Sequence, residues 1–171
     1  SAMGEHKSKE INPYNAGMRG KKNSEYDGGH RVPFFIRWKN GNIQAGRDIS
    51  QITSHIDVLP TLIDLCNLED KYQTIYDGKS LVPLLNNEFY QWNDRILITD
   101  SQRLQHPVKW RKSAVMSDKY RLVNGNELYN IIEDPSQQND IAEQHPEMVK
   151  QYREVYEVWW TDVSERFDEY A

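Results

Sequence analysis

Apolar residues along this 171-residue chain recur with two different periods, and the change from one to the other divides it. Between Asp48 and Leu68, Ile52, Ile56, Leu59, Leu62, Ile63 and Cys66 return every three or four positions, which predicts one apolar face of a helix. Ser54 with Asp57 three residues later reads as a capping box at its start. Pro60 inside the pattern removes a backbone hydrogen bond, so the part before it is expected to be a separate turn or a kink. Leu81 to Leu85 is a short apolar patch suited to one helical turn on the core. From Arg95 the period shortens to that of strands, at Arg95 to Thr99, Trp110 to Ser117, Tyr120 to Val123 and Glu127 to Ile132. Ser117-Asp118-Lys119 and Asn124-Gly125-Asn126 are hairpin connections, and Asp134-Pro135-Ser136 ends the last strand. The clearest element follows. Val149, Tyr152, Tyr156, Trp159, Val163 and Phe167 fall every three or four residues, predicting a helix over about Pro146 to Phe167. Its aromatic stripe is expected to be core, covering one face of the meander.

An earlier apolar run has neither period. Phe34, Phe35 and Ile36 are contiguous within Val32 to Trp38, which fits a strand buried on both faces, as in a parallel sheet, with Pro33 biasing Val32 toward an extended backbone. It is fed by a glycine-containing polar loop from Gly20, where Gly28 and Gly29 permit positive φ or a close backbone approach. Lys39 to Asn42 is a turn, Ile43 to Arg47 a short extended piece, and Asn86 to Asp94 a loop carrying Phe89, Tyr90 and Trp92 at which the chain is expected to change subdomain. The organisation is therefore 1–19 as tag remnant and irregular lead-in, 20–90 as one unit and 91–171 as a second. The fold class is α+β.

Composition narrows the functional classes. With 37% apolar and 27% charged residues the chain has enough to bury for a folded core. A net charge of −5 excludes a broad nucleic-acid or anionic-membrane surface, and no apolar run approaches the roughly 20 residues of a membrane span. Cys66 is the single cysteine, so no intrachain disulfide or cysteine metal cluster can form, and its apolar neighbours predict a small buried residue. The five histidines lack metal-ligand spacing, and no G-x-S-x-G, P-loop or G-x-G-x-x-G occurs. Asp57 and Asp64 are expected to be solvated or capping, and His55 to lie at a helix start. Arg19, Lys21, Lys22, His30 and Arg31 stand apart because these five potential cations share a short stretch with Gly20, Gly28 and Gly29. An oxyanion is their natural ligand.

The order of residues resembles the sulfatases. Lys22 stands four residues before Tyr26-Asp27-Gly28-Gly29, followed by Arg31-x-Pro33; then come Phe35-Ile36-Arg37-Trp38, Ala45-Gly46-Arg47, Ser54 to Leu62, Asp77 to Leu81 and Asp94-Arg95. Lys119 to Val123, Glu127 to Asn130, Asp134-Pro135, Asn139 to Ala142 and Pro146-Glu147 through Trp159-Trp160 continue the match, with Lys39 replacing a usual proline. The resemblance implies the C-terminal portion of an α/β sulfatase fold: one strand and helix of the large domain, then a small four-stranded antiparallel sheet packed by the long C-terminal helix. It implies that the full-length protein hydrolyses sulfate esters with Lys22, rather than Lys21, contacting the sulfate. It also implies a formylglycine made from a C/S-x-P-S-R motif and a calcium ion held by upstream carboxylates. Neither is supplied here, since Cys66-Asn67-Leu68-Glu69-Asp70 lacks the proline and the arginine. The chain alone is therefore expected to be inactive and to hold no metal or cofactor. A phosphatase or phosphonate-type hydrolase is a weaker relative within the same superfold, and the competing class is a non-catalytic module binding a sulfated glycan or a protein. The implied partners are a sulfated small molecule or glycan in a secreted or periplasmic parent, with no nucleic acid and no membrane span. Removing strand 32–38 from its sheet would leave an edge that pairs with a second copy or with the lead-in.

Overall fold

Side chains of a strand point alternately to opposite faces, and here both faces of one sheet are covered by different parts of the chain. A computed structural model describes residues 14–41, 43–69, 74–88 and 92–167. Strands β1 (Leu97–Asp100), β2 (Ser113–Met116), β3 (Tyr120–Val123) and β4 (Glu127–Asn130) form an antiparallel sheet in the order β1-β2-β3-β4. The β3–β4 connection is the predicted Asn-Gly turn. Asn124 and Gly125 take φ of 50° and 72°, and the Asn126 N–H donates to the Val123 carbonyl, a type I′ geometry whose twist matches the strands.

Ile98 pairs with Val115 and Val115 with Leu122, which in turn faces Leu128. This row packs against the helix Pro146–Ser164, numbered α4 below, through Val149, Tyr152 and Tyr156. Pro146 occupies the first turn, where its missing N–H has no partner to lose. The aromatic stripe is core, as its spacing predicts. The helix ends at Ser164 rather than Phe167, whose ring instead packs edge-on against Trp160.

The opposite face carries Leu97, Ala114, Met116, Arg121 and Tyr129. Ile52 and Ile56 pack on its apolar end. Asp57 is fully buried there. It completes the Ser54 capping box and accepts from Arg95 at 2.8 Å and from the Lys79 N–H at 2.8 Å. A 3-10 turn over His55–Asp57 precedes α2 (Val58–Leu65), so Pro60 lies in the first turn of the α-helix rather than inside it. This is the separate turn expected. The Thr61 hydroxyl, bonded to the Asp57 carbonyl, accepts from the Leu81 N–H and so docks the single turn α3 (Val82–Leu85).

Two expectations fail. Val32 to Trp38 is extended but joins no sheet among the described residues. Val32 is 74% and Phe35 89% exposed, because a strand forms only where a neighbour supplies its ladder. Cys66 caps α2 and is exposed, since that helix turns Leu59 and Leu62 outward too. Asp57 caps rather than meets solvent, the second of the two roles expected of it. A further turn, α1 (Asp27–His30), had no periodic signal at all. The lead-in 1–13, Phe89 and Tyr90 lie outside the described residues.

Candidate functional site

The loop from Arg19 to Arg31 lies on the polar part of the second sheet face and is pinned there by groups about a hundred positions away in sequence. Arg19 donates from Nη1 to the Tyr129 hydroxyl and to the Gln137 carbonyl, both at 2.9 Å, while its guanidinium covers the Tyr26 ring at 3.8 Å. Tyr26 donates to Glu127 Oε2 at 2.9 Å, and Tyr129 donates to the same oxygen. Burial, and then the bond to Glu127, push the Tyr26 phenol up to about 12. Tyr129 is raised for the same reasons. At the head of α1 the Asp27 N–H donates to Gln137 Oε1 at 2.9 Å, and its carboxylate accepts from Arg121 Nε at 3.0 Å. Burial alone pushes the Asp27 carboxyl up, but His30 and Arg121 outweigh it and hold the group below the usual carboxylate range.

Glycine is required at both Gly28 and Gly29 by close approach rather than positive φ. A Cβ on Gly29 would lie 2.0 Å from the Ser24 carbonyl oxygen, and one on Gly28 would lie 2.5 Å from that of Gly20. These contacts fold the loop back on itself, with Lys21 and Lys22 on its exposed part.

The five cations consequently separate. Arg19 is committed to Tyr26, Tyr129 and Gln137, while His30 and Arg31 lie 3.4 and 3.8 Å from Asp27. Lys21 and Lys22 remain exposed, and their side chains make no hydrogen bond or ion pair among the described residues. They line an open hollow of about 500 Å³ made by residues 19–26 together with Lys112 from the turn just before β2. Lys112 donates to the Asn23 carbonyl at 3.3 Å. Glu25 accepts from Asn124 at 3.1 Å; against burial, its own backbone N–H, Asn124 and Lys112 lower its carboxyl. Lys112, Asn124, Arg121, Tyr129 and Gln137 carry no motif that marks them as partners of the loop. The one available signal was alternation, which puts Arg121 and Tyr129 on the face away from α4.

Such a hollow can bind an anion through the Lys21 and Lys22 ammonium groups, which have no ion-pair partner among the described residues. It does not fit a calcium ion. The buried carboxylates are already engaged, Asp27 by Arg121 and His30 and Asp57 by Arg95 and the Ser54 and Lys79 N–H groups, and no cluster of three acidic, His or Cys side chains occurs among the described residues.

The sequence model of the family described as N-sulphoglucosamine sulphohydrolase, C-terminal, matches residues 20–161. The chain belongs to that family. This sulphohydrolase C-terminal portion is 25% identical over 155 residues to an N-acetylgalactosamine-6-O-sulfatase of Bacteroides thetaiotaomicron, a match covering 81% of the chain and 29% of the relative. It is 33% identical over 92 residues to human steryl-sulfatase, covering 54% of the chain and 16% of the relative. It also matches mouse steryl-sulfatase, at 29% identity over 102 residues, 60% of the chain and 16% of the relative. The chain thus spans about one sixth of the length of these steryl-sulfatases. A solved structure from work on glycosaminoglycan metabolism by Bacteroides thetaiotaomicron superposes with a TM-score of 0.64 at 24% identity, over 85% of this chain and 32% of the other, and carries the same fold. No helix among the described residues is long and apolar enough to cross a membrane.

Proposed function

We propose that this chain contributes one wall of the active site of a sulfuric ester hydrolase, with Lys22 neutralising the sulfate group under attack. The observation that carries the reading is the pinned loop. It holds two lysines whose side chains have no partner among the described residues at the rim of an open hollow, in a chain whose relatives are sulfatases. An ammonium fixed beside the sulfate would stabilise the charge that grows on the ester oxygens and draw the anion into place. Lys22 is chosen over Lys21 by its spacing to Tyr26. The nucleophile and the calcium of the family, a formylglycine and its metal, would come from outside these residues, so the chain alone should not turn over a sulfate ester. In the parent, residues 20–90 would complete the large domain and 91–171 would form the smaller one, in a secreted or periplasmic protein.

The test is a Lys22→Ala variant of the full-length parent. The expected result is a loss of about 10²- to 10³-fold in kcat/KM on an aryl sulfate, the size seen when one preorganised charge-stabilising group is removed. Unchanged turnover would remove the role. Turnover by the isolated chain would overturn the claim that its catalytic groups lie elsewhere.

The exposed run Val32 to Trp38 supports a second proposal. Outside the parent its unpaired backbone would associate with a second copy, edge to edge, to cover Phe34 and Phe35.

A further inference from the structure

Lys22 can meet an anion only where its loop holds it, and both ends of that loop are tied to one residue. Arg19 donates from Nη1 to the Gln137 backbone carbonyl, and the Asp27 N–H donates to Gln137 Oε1, each at 2.9 Å. The Gly28 N–H closes the base by donating to the Arg19 carbonyl at 2.9 Å. Lys22 lies between, in the turn that the Ser24 N–H makes to the Lys21 carbonyl at 2.8 Å, with Asn23 at φ 71°. Gln137 is 0% exposed and stands at φ 49°, a left-handed backbone that glutamine seldom takes. Its Nε2 is buried and has no hydrogen-bond partner among the described residues. Packing alone does not call for such a residue, because an apolar side chain of the same volume would fill the space without an amide to desolvate. The polar end is used through its oxygen, and that oxygen meets the loop. The turn that carries it is stiff. The Asp134 carboxylate accepts from the Gln138 and Asn139 N–H groups at 2.7 and 2.8 Å and from the Ser136 hydroxyl at 3.1 Å, and its carbonyl accepts from the Gln137 N–H at 3.0 Å.

We infer that Gln137 is a positioning residue for Lys22: it clips the two ends of the loop to the turn after β4 and thereby fixes where the lysine meets the sulfate. This rests on the sulfatase reading and deepens it, by giving that turn a part in the reaction. Gln137 is fully buried and does not itself meet substrate. One end of the loop is held by its backbone and the other by its side chain, so the second bond is the one that responds to substitution. Arg121 holds the Asp27 carboxylate but not its N–H. Withdrawing the Gln137 oxygen leaves that buried donor unsatisfied, and the loop regains a partner for it only by moving. A displacement of about 1 Å in a group that must meet the reacting atoms is enough to cost about 100-fold in rate.

The test is a double-mutant cycle in the full-length parent, scored as kcat/KM on an aryl sulfate. Gln137→Asn is the informative change, since asparagine tolerates the left-handed backbone and keeps the turn but is one methylene too short to reach the Asp27 N–H. It is expected to cost about 10- to 100-fold beside Lys22 and about twofold or less in the Lys22→Ala background, because a residue that works through the lysine then has nothing left to position. Gln137→Glu, whose oxygen still accepts, should restore most of the loss. Hydrogen exchange of the 171-residue chain gives a readout without turnover: the Asp27 amide should exchange about tenfold faster in Gln137→Asn, with the amides of β3 unchanged. Equal losses in both Lys22 backgrounds would overturn the positioning role, as the mark of a residue that only supports the fold. So would full activity of Gln137→Asn, or an Asp27 amide that exchanges as in wild type or quickens only in step with β3. The two readings fail separately. A Lys22→Ala parent with normal turnover removes the lysine's role and this coupling with it, whereas a Lys22→Ala parent that loses turnover in a cycle without coupling removes only the role of Gln137.

Discussion

At the residue scale the site depends on a buried ion pair that no local pattern announces. Asp27 is 1% exposed, and its carboxylate is held by Arg121 while its N–H is held by Gln137. A carboxyl whose value is lowered on folding adds stability that is present above its unfolded value, about 3.9, and is lost as the pH falls through the folded value. The docking of the loop should therefore be constant near neutrality and weaken on acidification below about pH 4. Urea midpoints measured between neutral pH and the acid limb should show that step in wild type and a smaller one in Asp27→Asn. An identical acid limb in the two proteins would mean that another group carries it. The sequence offered Asp27 only as part of a glycine-rich motif. Its partner lies ninety-four positions away, and the distance in the chain, not its chemistry, hid it.

At the scale of elements, the helix α4 and the meander were legible because their burial is periodic, and periodicity survives in a single sequence. Tyr156 is the centre of that packing. It is 0% exposed, stacks on Trp110 with centroids 3.7 Å apart, and its hydroxyl accepts from the Trp110 N–H at 3.0 Å. Tyr156→Ala should destabilise the chain by about 3–5 kcal/mol, whereas Val158→Ala, two residues on at a position 74% exposed, should stay within about 0.5 kcal/mol. Chemical denaturation of both variants checks the contrast; comparable losses would mean that the face is misassigned. The single turns were less legible. α1 is four residues long, too short for a period, and forms because Asp27 is anchored at both its backbone and its side chain. Pro60 looked like an interruption until the preceding 3-10 turn placed it where a helix tolerates proline.

At the scale of the molecule, one sheet is shared by two structural jobs. One face holds α4 and makes the core, while the other holds the loop with Lys22 and the segment from Ile52 to Asp57. The apolar run Val32 to Trp38 extends from this body without a strand partner among the described residues, next in sequence to the pinned loop. Sedimentation of the isolated chain should show concentration-dependent association that Phe35→Asp removes. A monomeric wild type at high concentration would refute the proposed pairing. The sequence alone determined the elements whose pattern repeats within a few residues: the meander, the Asn-Gly turn, the long helix and a basic loop suited to an oxyanion. Only the tertiary structure decided which cations are engaged, because Arg19 is tied to Tyr129 and Gln137 from far along the chain and His30 and Arg31 face an Asp27 that Arg121 and Gln137 anchor to the sheet, while the side chains of Lys21 and Lys22 meet no such partner among the described residues. It also brought in Lys112 and left residues 32–38 unpaired. Both outcomes depend on which surfaces meet, and a one-dimensional pattern encodes the tendency of a segment to be buried but not the neighbour that buries it.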